Sequence, residues 1–157
     1  MTSLRLGAGH AEQIHAHLCR AYPEEGCGVL LGREAAGTRV VERVLPFENR
    51  REDSRHDRYL IAQGQFLAAE REGREGGLDV VGFFHSHPDH PALPSAFDLE
   101  HAWPYYSYVI VSLERGRVVD ARTWRLSADR SRFEPETLES SPAKAPAAGR
   151  AGAEPSP

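Results

Sequence analysis

Residues 78–87 (LDVVGFFHSH) constrain the fold more than any other stretch of the chain. Four of the first six are apolar and two are valine, a run with no polar alternation, as expected of a strand covered on both faces. A strand of that kind needs helices on either side of its sheet, and the flanking patterns supply them. Residues 9–22 place Ile14 and Leu18 at helical spacing, extended by Ala11 and Ala21, and Pro23 ends the pattern. Residues 63–75 predict a second helix, with Phe66 and Leu67 on its buried side and Gly76-Gly77 stopping it.

Between these helices, residues 27–32 (CGVLLG) and 38–47 (TRVVERVLPF) read as a hairpin across a turn containing Gly37. Residues 48–58 form a charged loop that leads into a short extended piece at 59–62, and its Arg50, Arg51, Arg55 and Arg58 offer a surface for an acidic protein. Residues 105–113 and 117–125 make a second hairpin joined at 114–116. From about Glu139 to Pro157 the chain turns to Ala, Pro, Gly and Ser, which predicts a disordered tail behind a single domain at 1–138. At 157 residues the chain has room for one such core without disulfides.

Several function classes recede on composition. A formal net charge of -4 gives no electrostatic reason to expect nucleic-acid binding. No apolar run approaches the roughly 20 residues that cross a bilayer, and the N-terminus shows no secretory pattern, so the expected address is the cytoplasm. Cys19 and Cys27 fit neither a redox pair nor a zinc ribbon, and Cys27 reads as a small buried hydrophobe within its strand.

The chemistry gathers at the end of the 78–87 strand. His85 and His87 stand two apart, and side chains at that spacing share one face of a strand. A Pro-rich loop follows, then Ser95 as a helix N-cap with Asp98 three residues on, the capping-box arrangement, launching a helix through about Ala102. Asp98 can therefore fold back over the strand end and complete a two-histidine, one-carboxylate set. Such a set leaves a fourth tetrahedral position open for water, as catalytic rather than structural zinc requires.

The string His85-Ser86-His87-Pro88, six residues, Ser95, two residues, Asp98 resembles the H-[ST]-H-P-x(6)-S-x-x-D signature of the JAMM, or MPN-plus, zinc metalloproteases. Upstream, Pro23-Glu24-Glu25-Gly26-Cys27-Gly28 before an apolar run resembles the family's glutamate segment, and the register assigns that role to Glu25. The resemblance extends from about Leu4 to Phe133 and is to the compact bacterial type. It implies an α/β fold, one MPN-type domain with a mixed central sheet of cytidine-deaminase-like architecture flanked by helices. It implies zinc on His85, His87 and Asp98, with Glu25 as general base. Ser95 would stabilise the oxyanion, although its place as an N-cap would put a serine there in any case. The implied reaction is hydrolysis of a peptide or isopeptide bond after the Gly-Gly tail of a ubiquitin-like or sulfur-carrier protein.

Three other readings stand beside it: a non-catalytic MPN scaffold, a deubiquitinase-like enzyme and a general small-peptide hydrolase. A nucleobase deaminase is excluded, because its signature needs P-C-x-x-C after an H-x-E, and no P-C-x-x-C occurs. His90 and His101 are candidate third imidazoles, whereas His10, His15, His17 and His56 read as solvated surface. Trp103, Tyr105, Tyr106 and Tyr108 read as core or rim packing.

Overall fold

Strands and helices alternate as the apolar patterns direct. The computed structural model describes residues 2–49, 61 and 63–141. In chain order they form β1 (Ser3–Gly7), α1 (Ala8–Ala21), β2 (Cys27–Ala35), β3 (Thr38–Phe47), α2 (Gln63–Glu75), β4 (Asp79–Pro88), α3 (Ala96–His101), β5 (Ser107–Glu114), β6 (Arg117–Leu126) and β7 (Phe133–Ser141). Both hairpin turns carry two successive residues in the left-handed region, Ala36-Gly37 and Arg115-Gly116, the backbone that matches the twist of the flanking strands. Among the described residues, no helix is long and apolar enough to cross a membrane.

The sheet is mixed, as expected, and runs β1-β3-β2-β4-β5-β6-β7. It closes on itself because β1 pairs in parallel with both β3 and β7. The strand that carries the histidines lies inside it, antiparallel to β2 and parallel to β5. One face buries Leu30, Val81, Phe84, Val109 and Val111 against Ile14 and Leu18 of α1. The other buries Val29, Leu31, Val80, Phe83 and Tyr108 against Ala69 of α2 and Ala102 beyond α3.

A bulge decides which face receives the histidines. Leu30 pairs with Gly82 but Leu31 pairs with Val80, so Val81 is an extra residue on β4. This shifts the alternation by one position and puts Phe83, His85 and His87 on the α2–α3 side, away from α1.

Three expectations need correction. Leu67 is 50% exposed, and the buried side of α2 is instead Ala69 and Gly73 with Phe66 partly buried. A Cβ on Gly73 would lie 2.8 Å from the Leu78 carbonyl in the loop after the helix and 3.4 Å from the Leu31 side chain of the sheet, so small residues fill the contact and Leu67, one helical step round, faces outward. The disordered tail does not begin at Glu139, because β7 continues to Ser141, pairing Arg5 with Glu139 and Gly7 with Ser141. Its polar sequence hid it: Glu136 is buried by accepting the Thr2 and Thr123 hydroxyls at 3.0 and 2.9 Å. The third correction is His17, which is not plain surface, since its Nε2 lies 3.1 and 3.2 Å from the Cys27 and Phe47 carbonyls and bridges β2 and β3. The arginines of the charged loop, His56 and the stretch after Ser141 lie outside the described residues.

Candidate metal centre

The end of β4 and the start of α3 bring His85, His87 and Asp98 together, with relative exposures of only 1%, 6% and 9%. Their donor atoms form a small triangle. His85 Nε2 lies 3.2 Å from His87 Nε2, and the carboxylate offers one oxygen to each ring, also at 3.2 Å. A tetrahedral ion with nitrogen and oxygen donors about 2.0–2.1 Å away holds those donors about 3.3–3.4 Å apart, because a tetrahedron's edge is about 1.63 times its centre-to-vertex length. The spacing therefore fits a shared cation of that size.

Local structure fixes each donor. The Ser95 N–H donates to Asp98 Oδ2 at 2.8 Å and the Asp98 N–H donates to Ser95 Oγ at 3.0 Å, so the expected capping box is present and clamps the carboxylate. His87 Nδ1 donates to the Pro91 carbonyl at 2.8 Å, which places the proton of the neutral ring on Nδ1 and leaves Nε2 bare toward Asp98. Two bare acceptors at that distance repel unless a cation lies between them. Burial pushes the His85 imidazole below its ordinary value, outweighing the neighbouring Asp98 charge. Burial alone would raise the Asp98 carboxyl, but the adjacent histidines and the Ser95 N–H hold it well below the usual carboxylate range. A neutral His85 and an ionised Asp98 are the forms that bind metal.

Glu25 stands outside this donor set. Cys27 pairs with His85 and the Ser86 N–H donates to the Gly26 carbonyl at 3.0 Å, so Glu25 immediately precedes the segment that runs beside the histidine strand. Glu25 is 4% exposed, whereas its neighbour Glu24 is only half-buried. The Asn49 amide donates to the Glu25 carbonyl at 3.1 Å, and the Gly26 N–H donates to Ser86 Oγ at 2.8 Å. Burial, then the charge of Glu25, pushes the Cys27 thiol up to about 12, which agrees with Cys27 as an inert core residue.

His85 and Asp98 open onto a largely apolar cavity of about 190 Å³ lined chiefly by Phe83, Phe97, Trp103, Tyr108, Ile110 and Phe133. Tyr108 belongs to the core, while Trp103 and Tyr105 are about half exposed at the rim. His101 edges this cavity with its ring against Phe97 and its Nδ1 bonded to the Phe97 carbonyl. Neither it nor His90 joins the donor triangle. Sequence reasoning did not find the cavity, whose walls come from four separate elements. It also passed over Asp89 and Trp124, which pin the loop between the ligands, Trp124 by donating its indole N–H to the Ala92 carbonyl at 3.2 Å.

Residues 7–127 match the family described as prokaryotic homologs of the JAB domain. The chain is 39% identical over 102 residues to a Thermus thermophilus protein named a probable TtuB-protein conjugate cleaving protease, and the match spans 65% of each chain, just under two thirds of that relative. It is 38% identical over 103 residues to a Haloferax volcanii protein named desampylase, covering 65% of this chain and 70% of that one. A solution structure of a protein from Desulfitobacterium hafniense superposes with a TM-score of 0.77 at 33% identity, covering 90% of this chain and 94% of the other.

Proposed function

Since the chain belongs to the family of prokaryotic homologs of the JAB domain, we propose that it is a zinc-dependent peptidase or isopeptidase that cuts the amide bond after the Gly-Gly tail of a ubiquitin-like or sulfur-carrier protein. The observation that carries this reading is the buried triangle of His85, His87 and Asp98, with spacing suited to one tetrahedral ion, and with Glu25 buried in the segment that leads into the strand paired with His85.

In this reading His85, His87 and Asp98 hold the ion. Bound zinc supplies a Lewis acid that lowers the pKa of water towards neutrality and polarises the scissile carbonyl. Glu25 takes the proton of the attacking water and passes it to the departing amine nitrogen. The Asn49 amide on its carbonyl and Ser86 on the N–H of the following Gly26 hold it for that transfer. Ser95 serves twice: its oxygen accepts the Asp98 N–H as the helix cap, and its hydroxyl proton stays available to the oxyanion developing on the attacked carbonyl.

Protein conjugates are favoured as substrates by the names of the two relatives. Only residues 102–106 separate α3 from β5, which leaves no large segment there for gripping ubiquitin and favours a small carrier. Glycines next to the cut bond let the backbone come close to the buried donors, and the apolar cavity would receive a side chain further along the tail. A non-catalytic scaffold has no use for three metal donors and a buried glutamate in one place.

The test is intact mass. Zinc-loaded protein is incubated with a Gly-Gly-ending sulfur carrier bearing extra C-terminal residues, beside unstructured peptides with the same junction. Loss of the extension from the carrier is the expected result. Equal cleavage of the peptides would make this a general peptidase, and an intact carrier with zinc bound would overturn the proposal.

A further inference from the structure

The turn between β4 and α3 carries a carboxylate that the chemistry above leaves unused. Asp89 lies two residues beyond His87, and its oxygens serve different elements. Oδ2 accepts the Tyr22 hydroxyl at 2.6 Å, and Oδ1 accepts the Arg115 backbone N–H of the β5–β6 turn at 2.9 Å. The Asp89 N–H donates to the Leu113 carbonyl, so the loop is moored to that hairpin by backbone as well. Tyr22 follows α1 directly and opens the short segment that ends in Glu25. Beyond Glu25 the chain is tied to β4 again, because the Ser86 N–H donates to the Gly26 carbonyl at 3.0 Å and Ser86 Oγ accepts the Gly26 N–H at 2.8 Å. Glu25 is thus anchored to the histidine strand from both sides, through Ser86 between the ligands and through Asp89 just past them.

Resting on the reading of this site as a zinc peptidase centre, we propose that Asp89 is a positioning residue with two arms. Through Tyr22 it sets where Glu25 stands relative to His85, His87 and Asp98. Through the loop backbone it holds the Pro91 carbonyl that orients the His87 ring. The position selects its residue type. Asp89 has a φ of 59°, in the left-handed region where Asp and Asn are the best tolerated residues after glycine. Asparagine can repeat both contacts, its oxygen accepting the Arg115 N–H and its amide donating to the Tyr22 oxygen. Glycine keeps the backbone and loses both.

The test uses the full zinc-loaded chain, Tyr22→Phe, Asp89→Gly, Asp89→Asn and the Tyr22→Phe/Asp89→Gly double variant. Two quantities are read: zinc Kd by chelator competition, and kcat and KM on a Gly-Gly-ending sulfur carrier whose C-terminus bears an aminocoumarin amide. Tyr22→Phe is expected to lower kcat about tenfold with KM within about twofold, since misplacing a reacting group costs turnover before binding. Its zinc Kd stays at the wild-type value, because the loop arm is intact. Asp89→Gly should lower kcat at least as far and weaken zinc about tenfold, the lower end of what loss of a ligand-orienting partner costs. Asp89→Asn should stay within about threefold in both readings, and the double variant should be no slower than Asp89→Gly, as expected for two residues of one unit. Tyr22→Phe at wild-type kcat, Asp89→Asn as impaired in zinc binding as Asp89→Gly, or additive losses in the double variant would each overturn the assignment. Zinc affinity is read without substrate, so a chain that binds zinc but leaves the probe uncut refutes the proposed reaction while the loop arm is still judged. A wild-type chain with no affinity for zinc removes both.

Discussion

Replacing Glu25 with glutamine separates proton transfer from every other role of the site. Glutamine has nearly the same shape, and the backbone around position 25 is held by groups the substitution leaves alone: the Asn49 amide on its carbonyl and Ser86 on Gly26. The side chain should therefore stay in place. What disappears is a carboxylate able to take a proton, a contribution usually worth about 10²–10⁴ in rate. Glu25 is only 4% exposed, so bulk water cannot readily substitute as base, and the expected loss in kcat lies in the upper half, about 10³–10⁴. At 1.36 kcal/mol per decade that is about 4–5.5 kcal/mol of barrier. Zinc should stay bound with a Kd within about twofold of wild type, because the donors are His85, His87 and Asp98. Burying a neutral amide costs less than burying a charge, so the melting temperature should hold or rise. The assay follows intact mass of the extended carrier over hours, with zinc content measured on the same samples. A variant that keeps a tenth or more of wild-type kcat, or that loses its zinc, would refute the role given to Glu25.

Other consequences follow from the same geometry. Stripping zinc with a chelator should leave a folded chain, since the capping box and the Pro91 carbonyl hold the donors without it. Its melting temperature should fall by roughly 5–10 °C relative to protein with zinc a hundredfold above Kd, the equivalent of about 2.7 kcal/mol; cooperative unfolding lost altogether would contradict this. Ser95→Ala should cost about 1 kcal/mol of stability as a lost cap and about 10²-fold in kcat as a lost oxyanion donor. A kcat within about threefold of wild type would reduce Ser95 to a cap. With its thiol raised to about 12 and buried, Cys27 is protonated at pH 8, so a thiol reagent should label exposed Cys19 alone in the native chain and both cysteines in denaturant. Gly82→Ala would set a Cβ 2.3 Å from the Ser107 carbonyl oxygen, which is backbone and cannot turn aside, so β4 and β5 should part at a cost of about 1–3 kcal/mol, read by denaturant titration.

The elements that sequence made legible are those whose signal is local. α2, β3 and the capped α3 fall where helical spacing, turn glycines and the Ser95–Asp98 box put them, because each of those signals acts within a few residues of itself. β1 and β7 escaped notice because neither carries a local pattern strong enough to stand alone; each becomes a strand through the other, with Leu4 and Leu6 buried and Glu136 sheltered by two threonines. The site shows the same division. His85, His87 and Asp98 can be picked out by spacing, yet spacing says only that the two histidines share a face, and a strand covered on both sides has two faces to choose from. The choice is made by Val81, a single extra residue against β2, which turns the pair away from the α1 core toward α3 and the Glu25 segment. Without that bulge the same ten residues of β4 would still make a buried strand, but their imidazoles would point into the Leu18–Phe84 core, where no described carboxylate could complete the set. The functional geometry therefore depends on a register fixed between strands, a property that no window along the chain contains.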